Sequence, residues 1–81
     1  MKKEIPFTLE TLRILQCLSL EDFAQLLVEG MSCQAVPDYI EDQYNFLKMK
    51  GAGNFLLKID NDLANHFITY ANEKIARHRI D

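Results

Sequence analysis

The chain has 81 residues, of which 48% are apolar and 26% charged, with a formal net charge of −3. That composition fits one globular domain with one small core and excludes a disordered chain. No apolar run approaches the roughly 20 residues that a bilayer span needs. A core this small is marginal alone, so a homodimer or a partner-stabilised state is an open alternative.

Residues 1–7 read as a flexible lead-in, because Pro6 blocks an earlier helix. Thr8 is a fitting N-cap for LETLRILQCL, whose Leu9, Leu12, Ile14, Leu15 and Leu18 recur at helical spacing. Ser19, with Asp22 three residues on, resembles a capping box and starts a second helix at Leu20. Its apolar stripe is Leu20, Phe23, Ala24, Leu27 and Val28, and Gly30 is expected to stop it in a left-handed turn.

Pro37 at the first helical position, Asp38 and Glu41 near the positive end, and Lys48 and Lys50 near the negative end predict a helix over 37–50 closed by Gly51. Val36, Ile40, Tyr44 and Leu47 give its expected inner face, broadened by Tyr39, Phe46 and Met49. GAGN at 51–54 reads as a loop. Beyond it, one reading is a single long helix capped by Asn54; the other is a short strand at 55–59 and a helix capped by Asp60 or Asn61. Both readings place a helix from about 62 to 79. The expected fold is therefore all-α, a single bundle of about four helices over 1–81, with a short strand near 55–59 as the open point.

Residues 20–40 resemble the helix-turn-helix superfamily. Ala24 matches the small residue at the helix crossing, Gly30 the turn, Ser32 the cap of the second helix, and Val36 with Ile40 its core plugs. The resemblance implies a helical hairpin and, in its usual use, a DNA-reading or winged-helix regulator. In that reading Ser32, Gln34, Lys48, Lys50 and Lys58 are the candidate DNA contacts, with a dimer formed through the C-terminal helix. The charges oppose it. Pro37, Asp38, Glu41 and Asp42 stand where a groove helix would meet phosphate, and affinity for DNA comes largely from Lys and Arg.

Charge is unevenly spread along the chain. From Glu10 to Asp42 there are seven acids and one base, Arg13, whereas from Gln43 onward there are six bases and four acids. This split favours contact with a basic partner over contact with nucleic acid. The expected working surface is Asp38, Tyr39, Glu41, Asp42, Gln43 and Phe46, an acidic rim with aromatic anchors. The chain then reads as a non-enzymatic regulator or inhibitor of another protein, one with a basic or nucleic-acid-binding face.

Nothing else assembles into chemistry. His66 and His78 lack carboxylates or thiols at ligand spacing, so no metal or cofactor is expected. Cys17 reads as a core thiol, and Cys33 has no base placed beside it. Free thiols and the absence of an apolar signal segment lead to the expectation of a cytoplasmic protein.

Overall fold

The computed structural model describes residues 8–79, with the side chains of 78 and 79 excepted; the lead-in expected at 1–7 lies outside them. Those residues form five helices and no strand: α1 (Leu9–Gln16), α2 (Leu20–Met31), α3 (Pro37–Lys50), α4 (Ala52–Lys58) and α5 (Asn61–Arg79). The α5 helix is the spine and packs on α1, α2 and α4, while α3 packs on α2 and α4 at one side.

Local chemistry sets most of the helix starts. Thr8 Oγ1 accepts from the Thr11 N–H at 3.1 Å, and Ser19 Oγ accepts from the Asp22 N–H at 3.2 Å. Pro37 opens α3 at the position where its missing N–H costs nothing. Asp60 Oδ1 accepts from the N–H groups of Asp62 and Leu63, which fixes the start of α5.

The segment expected as a loop and then a strand is helical. Gly51 alone separates α3 from α4, at φ +92°, a conformation that disfavours any side chain. The chain turns there, and 52–58 winds so that Phe55 and Leu56 both enter the core. Consecutive inward residues suit a helix against a bundle, whereas a strand would send them to opposite faces. The long continuous helix is also absent. Asn54 lies inside α4, and its Nδ2 donates to the Lys50 carbonyl.

The expected turn at Gly30 is displaced as well. Helix α2 runs through Gly30 to Met31 and closes at Ser32, which takes the left-handed conformation at φ 54°. Ser32 therefore ends α2 rather than capping the next helix, and Val36 is 63% exposed rather than a core plug. Gly30 instead permits close approach of α2 to α5. A Cβ there would collide with Leu63 Cδ1 and lie 3.1 Å from His66 Cδ2.

At the centre Phe23 is fully buried, with ring centroids 5.4 Å from Tyr44, 5.5 Å from Phe55 and 5.5 Å from Phe67. Phe55 and Phe67 meet edge to face at 5.4 Å. One cluster thus joins α2, α3, α4 and α5. Helix α1 is held by buried Leu15 and by Thr11, whose Oγ1 donates to Asn72 Oδ1 of α5 at 2.8 Å. Cys17 is exposed at the end of α1 rather than in the core, and Leu9 is 70% exposed, outside the buried stripe. Among the described residues no helix is long and apolar enough to cross a membrane.

Gly30→Val adds volume where Leu63 already sits, so it lowers stability by about 1–3 kcal/mol. The drop in the urea midpoint measures it; an unchanged midpoint contradicts close packing at Gly30.

Candidate functional site

The described side chains of α3 divide cleanly around its axis. Gln43 and Leu47 are buried, and Ile40, Tyr44, Phe46 and Lys48 are half-buried. Asp38, Tyr39, Glu41, Asp42, Asn45, Met49 and Lys50 are exposed. Asp38, Asp42, Asn45 and Met49 follow one another at intervals of one helical turn and form the outer ridge. Glu41 lies on one flank of that ridge and Tyr39 on the other.

The inner face is firmly attached. Tyr44 packs on Phe23, and its hydroxyl donates to the Leu18 carbonyl at 3.0 Å. The Lys48 ammonium donates to the Gln16 carbonyl and stands 5.1 Å from the Tyr44 ring centroid. From α4, Lys58 Nζ lies 4.2 Å from the centroid of Phe46. These contacts fix the rotation of α3 about its axis and so determine which residues face outward.

The acidic surface is therefore built of fewer residues than expected. Asp38, Tyr39, Glu41 and Asp42 are brought together on exposed helix, and among the described residues no cation lies within ion-pair distance of the three carboxylates. Gln43 does not belong with them: it is 7% exposed, and its Oε1 has no hydrogen-bond partner among the described residues. Phe46 is half-buried beneath Lys58 and contributes an edge rather than an anchor. Met49, at 80% exposed, and Asn45 complete the ridge. Asn45 shows in the sequence only through its spacing from Asp38 and Asp42.

The candidate DNA contacts do not converge on one patch. Ser32 and Gln34 are exposed in the approach to α3, while Lys48 and Lys50 lie at its far end. The intervening 14-residue helix is about 21 Å long at 1.5 Å per residue. Lys48 and Lys58 are already engaged with a carbonyl and a ring, and Lys50 is exposed.

A second acidic strip lies on α2, where Glu21, Asp22 and Glu29 are exposed. Glu29 is occupied there: one oxygen accepts from Gln25 Nε2 at 3.0 Å, and the other is 3.7 Å from His66 Nε2. Cys17 and Cys33 are both free and exposed. Among the described residues no group of three His, Cys, Asp or Glu side chains is arranged to hold a metal ion; the His78 side chain lies outside them.

No family model matches this chain, and neither does any curated protein or solved structure.

A buried amide oxygen without a partner costs about 1–3 kcal/mol. Gln43→Met keeps the volume and removes that oxygen, so it raises the unfolding free energy by about 1 kcal/mol in urea titration. A loss of stability would show that Gln43 has a polar role.

Proposed function

We propose that this chain is a small non-enzymatic regulatory protein that works by contacting another protein through the outer face of α3. The observation that carries the reading is the set of exposed carboxylates of Asp38, Glu41 and Asp42 beside Tyr39, on a helix whose inner face fixes its orientation. Exposed, unpaired carboxylates attract a basic surface from a distance and accelerate encounter. Tyr39, 37% exposed, supplies an amphipathic ring of the type enriched at interface centres. The fitting partner has a Lys- and Arg-rich face, including the nucleic-acid-binding face of another protein.

The helix-turn-helix resemblance leads to the opposite ligand. What favours a protein ligand is the placement of the cations. Lys48 and Lys58 are engaged, and the acids occupy the exposed first half of α3, where phosphates would be repelled.

The test compares partner capture by the wild-type chain with capture by the Asp38→Lys, Glu41→Lys, Asp42→Lys triple variant, after circular dichroism shows that both are helical. The expected outcome is at least about a tenfold loss of capture, since reversing interfacial charges opposes both approach and docking. Undiminished capture places the surface elsewhere. Salt-sensitive retention of random duplex by the wild-type chain in a gel shift would sink the protein-binding reading.

A further inference from the structure

We infer that the corner between α3 and α4 is a contact for anionic lipid bilayers, with Met49 and Leu57 entering the headgroup layer and Lys50 and Lys58 pairing with lipid phosphates. The inference is independent of the protein-binding reading above, which uses the acidic first half of α3. Among the described residues Leu57, 83% exposed, and Met49, 80% exposed, are the most exposed large apolar side chains. Both stand at this corner. Lys58 Nζ lies 4.2 Å from the Phe46 ring centroid, which lays the last turn of α4 beside the second half of α3. Leu57 is the neighbour of Lys58, and Met49 lies one turn beyond Phe46, so the two project outward beside that seam.

Charge selects the occupant. From Gln43 to Ile59 there are three lysines and no acid, in a chain whose net charge is −3. Lys48 is turned to the Gln16 carbonyl and takes no part. Lys50 and Lys58 are both exposed, and the ring contact holds Lys58 at the edge of the apolar patch without neutralising it. Asp42 lies seven residues before Met49, about 10 Å along the helix, which is one Debye length at ordinary salt. Asp60, just past α4, accepts from the N–H groups that open α5. A second copy docked by the same corner would set lysine against lysine. A rigid protein partner would need a socket for each protruding side chain. A bilayer needs none: its soft interface takes up both apolar side chains, while the lysine stems lie along it and keep their ammonium groups at phosphate depth.

Two apolar side chains and two cations give weak attachment that needs both parts. Contact is therefore reversible, selective for anionic lipid and lost in salt.

The test sediments the full chain with sucrose-loaded phosphatidylcholine vesicles holding about 30% phosphatidylglycerol, at about 1 mM lipid and about 50 mM salt. Co-sedimentation is expected, falling at least about fivefold on pure phosphatidylcholine or in about 0.5 M salt. The Met49→Ser, Leu57→Ser double variant, shown to be helical by circular dichroism, lowers it about tenfold. The chain has no tryptophan, so Leu57→Trp supplies a single reporter. Its emission shifts to the blue on the anionic vesicles, whereas that of Tyr39→Trp, among the acids, does not. Absence of co-sedimentation, equal binding to pure phosphatidylcholine, or binding undiminished in the double variant overturns the inference. A blue shift for Tyr39→Trp and none for Leu57→Trp overturns it too. Capture of polyglutamate in place of vesicles would assign the corner to an acidic protein segment, and lipid-free self-association abolished by the double variant would assign it to a second copy; either overturns the lipid contact. Partner capture is measured without lipid, so loss of vesicle binding leaves that reading standing, and unchanged capture by the Asp38, Glu41 and Asp42 variant leaves this one standing.

Discussion

Everything outward in this molecule depends on what happens around Phe23. Its ring is fully buried and touches aromatic rings from three other helices, Tyr44, Phe55 and Phe67, at centroid distances near 5.5 Å. Such tilted and edge-on pairs contribute about 0.5–1.5 kcal/mol each beyond the area they bury. In a chain of this size that is a large share of a stability of only a few kcal/mol. The cluster also has a geometric consequence. Tyr44 brings α3 into it, and its contact with Phe23 and its hydroxyl bond to Leu18 set the rotation of α3 together with fully buried Leu47.

That rotation separates a structural face from a free one. Inward, α3 spends Leu47, Tyr44 and Ile40 on the core and Lys48 on the last residue of α1, Gln16. Outward it keeps three carboxylates, a tyrosine, an amide and an exposed methionine. A helix needs only one apolar stripe to be held in a bundle, so the opposite face is unconstrained by folding. The acids at the start of α3 also favour the helix through its dipole, so the charge split along α3 serves folding as well as the proposed recognition.

The sequence shows the helix starts most clearly, because caps are local. Thr8, Ser19 and Pro37 each act within four residues of themselves. Gly30 is expected from the sequence as the turn and is instead a helix contact, for a physical reason: glycine permits a left-handed turn and also permits two helices to touch. Only the position of Leu63 and His66 on α5 distinguishes the two roles. Residues 55–59 were ambiguous because a short apolar run fits either period, and the choice is made by the φ of Gly51 and by the space waiting for Phe55 and Leu56. On α3, the exposure of Asp38, Glu41 and Asp42 was legible from spacing, whereas Tyr39 and Met49, expected also to broaden the inner face, are exposed. The burial of Gln43 was not legible: its polarity placed it outside, while its position one turn before Leu47 places it inside. The engagement of Lys48 and Lys58 was not legible either, since Gln16 and Phe46 are remote in sequence.

The outer face of α3, rather than the equally acidic strip of α2, is the proposed recognition surface. An amide-resolved NMR titration of dilute chain with an oligolysine peptide addresses it most directly, because both strips carry carboxylates and compete for the same probe. Shifts are expected to concentrate at Asp38, Tyr39, Glu41, Asp42 and Asn45 and to disappear as salt is raised. Shifts concentrated instead at Glu21, Asp22 and Glu29 of α2, with α3 unmoved, would contradict it.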